Sequence, residues 1–224
     1  MITLYSGLVV RQPLVEDLIP AFEAATGERI VATFEPTTVL LDRIADGERP
    51  DLFLGVSASA HDLAAQGILD AATIADIAVS AVGFARLAGT REPSGDTEEA
   101  FLQYLRDSRV AYTLSGASGM HLMSVLRERD LLDGVDERAV RFSAGLTAEA
   151  VLDGRADVAI QQVSELRSVP GPHVVAPIPH ALQSYGRFAI GAGVHAPASA
   201  LAFAATLTEE RAQQAFASVG LSAP

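Results

Sequence analysis

Two stretches of this chain hold residues whose types and spacing suit the capture of an anion. The first is Ser115-Gly116-Ala117-Ser118-Gly119. Val110-Ala111-Tyr112-Thr113 precede it and are β-branched and aromatic enough for a short buried strand, while Met120, Leu122, Met123 and Leu126 follow at helical spacing. A strand, a small-residue loop and a helix start in that order offer unpaired backbone N–H groups and a partial positive charge. The alternative for this loop is a tight turn in which Ser118 only caps the helix. The second stretch is Ala156-Asp157-Val158-Ala159-Ile160-Gln161-Gln162-Val163-Ser164-Glu165. Its small apolar residues make a buried strand, and two amides appear where that strand emerges. Gln161 and Gln162 bring donors and acceptors without charge, or else are solvent-exposed turn residues. Glu165 is a capping or pairing residue, or a proton carrier.

The elements that must position these residues alternate along the chain. Residues 2–5 read as a strand ending in Ser6-Gly7, and 8–25 as a helix stopped by Gly27. Residues 29–34 are a second strand, after which Thr37 or Thr38 caps a helix over 39–46. A third strand over 50–56 runs into Ser57, and a helix over 61–66 stops at Gly67. The β-α-β-α-β-α order predicts a parallel sheet covered by helices. Ser6-Gly7, Thr37-Thr38 and Ser57 all lie at strand ends just before helices, which is where open α/β sheets bind ligands. Apolar runs over 77–87 and 185–194 are expected to be strands crossing between two lobes. The helix that follows the Ser115–Gly119 loop should extend through Arg129 and end near Asp133-Gly134. The expected lobes are 1–80 with 190–224, and 81–189.

Composition narrows the chemistry. The 224 residues are 49% hydrophobic, ample for a core. The net charge of −12 argues against nucleic acid and anionic membranes, so a bound anion must be held by local dipoles or a few arginines such as Arg11. There is no cysteine, and every basic residue is arginine, which excludes disulfides, thiolate sites and Schiff-base chemistry. Five scattered histidines lack metal-ligand spacing, so no cofactor or metal is expected. No run of 18 apolar residues suggests a membrane span. With no leader visible ahead of Ile2, the expected location is periplasmic where a leader has been removed and cytoplasmic otherwise.

Ser6-Gly7, Phe22-Glu23-Ala24-Ala25-Thr26-Gly27, Pro50-Asp51-Leu52-Phe53 and Gly154-Arg155-Ala156-Asp157 together resemble, in order, the periplasmic molybdate-binding proteins of ABC uptake systems. The broader likeness is to type II solute-binding proteins and covers nearly the whole chain. It implies an α/β, two-lobed periplasmic-binding-protein fold, each lobe a mainly parallel sheet flanked by helices, joined by two hinge crossings. It also implies a monomer that closes on a small anion in the cleft between lobes and serves an ABC transporter permease. Ser6 or Gly7, Thr37 or Thr38, and the Ala117-Ser118-Gly119 amides would surround the ligand. The chain departs from that family in carrying Ser6-Gly7-Leu8 for its Ala-Ser-Leu and Gln162 for its Tyr.

The run Gly116 to His121 and the segment Gln161-Gln162-Val163-Ser164-Glu165 are similar to a subgroup that includes aconitate isomerase. That likeness implies an allylic proton shift on a tricarboxylate, with His121 as base, Glu165 second, and Arg11 pairing a carboxylate. Capture of an oxyanion or carboxylate is the first expectation and the isomerase the second. A cytoplasmic ligand-sensing domain is the third.

Overall fold

The computed structural model describes all 224 residues. Nine strands form: β1 (Ile2–Ser6), β2 (Ile30–Phe34), β3 (Leu52–Val56), β4 (Ala75–Leu87), β5 (Val110–Thr113), β6 (Val140–Phe142), β7 (Val158–Gln162), β8 (His173–Pro177) and β9 (Tyr185–Ala192). The chain divides into two compact units, Met1–Ser80 with Gly186–Pro224, and Ala81–Tyr185. The second boundary falls at Tyr185 rather than 189, because Phe188 and Ala189 are paired with Val56 and Gly55 of β3.

In the first unit β2, β1 and β3 run parallel, and β9 joins β3 antiparallel. Alternation along the strands sorts their side chains onto two faces. Ile2, Leu4, Leu52, Leu54, Phe188 and Ile190 pack on one face with Phe203 and Phe216 of the C-terminal helices Ala198–Thr206 and Glu210–Ser218. Tyr5, Phe53 and Ala189 pack on the other against Leu40, Ile44 and Leu63.

The helical run after β1 is irregular. It passes through a 3-10 turn (Leu8–Val10), one α turn (Arg11–Pro13), a π segment (Leu14–Leu18) and a regular helix (Ile19–Thr26) that ends on Gly27 at φ 73°. Val10, Leu14, Leu18 and Phe22 are all buried and four residues apart. Each such step overshoots a regular turn by about 40°. The wider π turn absorbs that drift, and it also gives room to Pro20, whose ring would crowd the carbonyl four residues earlier.

In the second unit β7, β5 and β6 are parallel, and β4 pairs antiparallel with both β7 and β8. Val82, Val110, Tyr112, Val158 and Ile160 share one core with Phe101 and Leu126. Ala85, Ala111 and Ala159 line the opposite face, where small side chains let Val151 and Leu166 approach closely. The helix expected to run through Arg129 stops at Arg127; Asp130 at φ 55° turns the chain, and a separate helix spans Leu132–Asp136. No helix is long and apolar enough to cross a membrane.

Candidate functional site

Parallel pairing puts the carboxyl ends of β1, β2 and β3 together at one end of the first unit's sheet. Gly7 N–H donates to the Leu54 carbonyl at 2.8 Å, and Glu35 N–H donates to the Ser6 carbonyl at 3.1 Å, which ties the three ends together. The expected caps do not form. The helix Thr37–Ala45 begins on Pro36 and the helix Ser57–Ala65 on Val56, neither with a side-chain cap. Thr37, Thr38 and Ser57 therefore lie inside the first turns, and the Ser57 helix starts four residues before the expected 61.

Each hydroxyl there has its own structural task. Thr37 Oγ1 accepts from Val56 N–H at 3.3 Å and would stand 3.9 Å from a Cβ on Gly7. Ser57 Oγ donates to Asp76 at 2.6 Å, and Asp76 faces Arg187 at 3.6 Å. Ser6 is fully buried and its hydroxyl donates to the Gly7 carbonyl, so its backbone rather than its Oγ is what the strand end presents. Arg11 is exposed, with its guanidinium 5.9 Å from the centre of the Phe34 ring. Ser6 and Phe34 are register partners, so this cation stands at the strand ends.

In the second unit the ends of β5, β6 and β7 likewise coincide. The helix Ala117–Arg127 starts on Gly116 without a side-chain cap, so Ser118 is not a cap; it is buried in the first turn. The N–H groups of that turn have no acceptor within the helix. The helix also sits directly on the end of β5. A Cβ on Gly119 would lie 1.7 Å from the Thr113 carbonyl oxygen, and one on Gly116 would lie 2.4 Å from Thr113 Oγ1. Only glycine permits this approach at either position.

Gln161 and Gln162 are buried, not turn residues in solvent. Gln161 is fully engaged. Its amide oxygen accepts from Thr147 N–H at 2.8 Å and from Thr147 Oγ1 at 3.0 Å, while its Nε2 donates to the Gly145 carbonyl at 2.9 Å. It brackets the 143–147 loop rather than facing a ligand. Gln162 caps the short helix Val163–Arg167, where Glu165 accepts from the Gln162 N–H. The Gln162 side chain turns toward the Glu165 N–H without a well-aligned bond, which leaves its buried amide oxygen short of a partner. Glu165 is half-buried. Burial pushes its carboxyl from the usual range up to about 7, against the opposing pull of hydrogen bonds from Gln162 N–H and the Gln161 side chain.

His121 lies in the second turn of its helix, not the first. Its Nε2 is 2.7 Å from the Leu182 carbonyl, so the ring donates there. It borders a narrow apolar crevice with Leu122 and Ile178. No cluster of three or more His, Cys, Asp or Glu side chains forms that could hold a metal ion. The sequence reading missed Thr147, Asp76 and Arg187. Nothing in the spacing signals them, because each is set by a partner in another element.

The family model for bacterial extracellular solute-binding proteins matches residues 2–222. An aconitate isomerase from a Pseudomonas species is 31% identical over 176 residues, covering 75% of this chain and 67% of that protein. The periplasmic molybdate-binding protein of Azotobacter vinelandii has the same fold, with TM-score 0.81, 17% identity and complete coverage of both chains. So does the sulfate-binding protein of Mycobacterium tuberculosis, with TM-score 0.75, 22% identity, and coverage of 98% of this chain and 85% of that one. Uncapped helix starts at parallel strand ends, a type II periplasmic-binding-protein fold and a match over almost every residue agree: this chain belongs to the bacterial extracellular solute-binding protein family.

Proposed function

We propose that this solute-binding protein captures a small oxyanion or carboxylate with strand-end groups, and delivers it to an ABC transporter permease outside the cytoplasmic membrane. The observation that carries the reading is the start of the Ala117–Arg127 helix. It has no side-chain cap, two glycines at its first turn and a buried Ser118 beside them. In the second unit the candidate donors are the Ala117, Ser118 and Gly119 N–H groups. In the first unit they are Gly7, the first turns at Thr37-Thr38 and Ser57, and the Arg11 cation. A net charge of −12 makes such local donors necessary.

A second reading, an allylic proton shift on a tricarboxylate, is favoured by the likeness to aconitate isomerase and by one residue. An isomerase of this kind removes a proton next to a carboxylate and returns one two carbons away. Glu165, whose carboxyl burial pushes up to about 7, is suited to both transfers. His121 has only Nδ1 to offer, since its Nε2 donates to the Leu182 carbonyl.

The test is a thermal-shift screen with molybdate, tungstate, sulfate, phosphate, citrate and both aconitate isomers. A ligand at a hundred times its Kd adds about 2.7 kcal/mol, well within the reach of such a screen. Stabilisation by any of these anions supports capture, and stabilisation by none of them defeats it. Interconversion of the aconitate isomers, lost in Glu165→Gln, would put the isomerase first.

A further inference from the structure

The second unit holds another cavity, at the opposite end of its parallel strands. Arg109 immediately precedes β5 and Asp157 immediately precedes β7, and both line an opening of about 320 Å³. That volume is in the range of small-molecule pockets. Leu87, Val151 and Ala156 give it apolar walls.

Its polar groups are unequal. All three Arg109 side-chain nitrogens are engaged: Nε and Nη2 hold the two Asp157 oxygens at 3.2 and 2.8 Å, and Nη1 donates to the Gly154 carbonyl at 3.0 Å. Arg91 spends one nitrogen on Asp107 at 2.8 Å, and its guanidinium stands 5.8 Å from the centre of the Tyr104 ring. Tyr104 is the exception. The residue is 2% exposed and lines the cavity, and its hydroxyl, not sealed from water, makes no hydrogen bond within the protein and is free for a ligand in the cavity. Burial raises the pKa of this hydroxyl against the opposing pull of the Arg86 and Arg91 charges, so it keeps its proton and can donate to an incoming acceptor.

We propose that this cavity is a second ligand site, taking a small monocarboxylate whose apolar body lies against Leu87, Val151 and Ala156 and whose carboxylate accepts from the Tyr104 hydroxyl and the Arg91 guanidinium. Of the other charges lining the cavity, Asp107 is held by one Arg91 nitrogen, and Arg109 and Asp157 neutralise each other and hold the ends of β5 and β7 together beneath the site. This site is independent of the strand-end groups assigned above, and its occupancy does not require them.

Benzoate is the probe, titrated into the full-length chain and followed by amide NMR shifts. The expected shifts fall at residues 87–91, 104–109 and 151–157. Tyr104→Phe keeps the ring packing against Phe84 and Phe101 and removes only the hydroxyl. It should weaken benzoate by about tenfold, the loss of one hydrogen bond to a charged group. Arg91→Gln, at a largely exposed position, should weaken it similarly and leave the fold intact. Benzyl alcohol, of the same size without the charge, should bind more weakly than benzoate. The proposal is overturned by shifts at 6–7 and 117–119 in place of the cavity residues, by no shifts at millimolar benzoate, or by an affinity in both variants equal to that of the parent.

Discussion

Ser118 and Glu165 separate the two functional readings. Ser118 is buried in the first turn of its helix, and the helix begins without its help. Ser118→Ala should therefore leave the folding transition nearly unchanged while weakening anion affinity by roughly 1–3 kcal/mol, measured by calorimetric titration. Glu165 carries a pH signature. Its folded pKa, about 7, lies above the 4.5 of an unhindered glutamate. The native state thus binds more protons than the unfolded one in that window, and stability falls as pH rises through it. Glu165→Gln cannot ionise, so its stability relative to the parent should increase from pH 4.5 to pH 7 and level off above. Parallel urea titrations across that range would reveal it; a constant difference would mean the carboxyl titrates normally.

At the level of elements, the seat of the Ala117–Arg127 helix on β5 is the tightest contact described. Gly119→Ala would push a methyl into the Thr113 carbonyl, 1.7 Å away, and backbone cannot yield as a flexible side chain does. A loss of about 3 kcal/mol or more in urea denaturation is expected, with anion affinity falling alongside as the helix start shifts. This seat was half legible in the sequence. The small residues between a strand and a helix marked the loop, but only the packed structure says which glycine meets which atom. The strands were read well because period-2 alternation and glycine stops are local signals. The roles of Gln161 and Ser57 were not, because Gln161 is explained by Thr147 and Ser57 by Asp76, each in another element. Capping by Thr37, Thr38 and Ser57 was the natural inference from composition, and it fails because Pro36 and Val56 already hold the extended backbone at those helix starts.

For the molecule as a whole, the surplus of 28 acidic over 16 basic residues opposes the approach of an anion. Screening by salt acts over about 10 Å at 0.1 M, shorter than the reach of that field at low salt. The association rate of an anionic ligand should therefore rise several-fold between about 0.01 and 0.15 M salt, the reverse of a steered encounter. Stopped-flow fluorescence or exchange NMR would measure it. A rate that falls with salt would mean that Arg11 and Arg187 dominate the local potential. Family membership and the fold follow from the entire chain, whereas ligand choice rests on a handful of strand-end groups.

The π segment at Leu14–Leu18 has a bearing on how this chain tolerates changes of length. A widened turn is a helix holding one residue more than its path requires. Deleting Val15, which is 46% exposed, would relax the run into an ordinary helix and cost little at the site of the cut. The segments on either side would keep their facing, because four-residue steps that overshoot a regular turn become a mixture of threes and fours that does not. Val10, Leu14, Leu18 and Phe22 would stay on one buried stripe and Arg11 beside Phe34. The π segment is thus a place where this chain can lose a residue without turning either end of the helix.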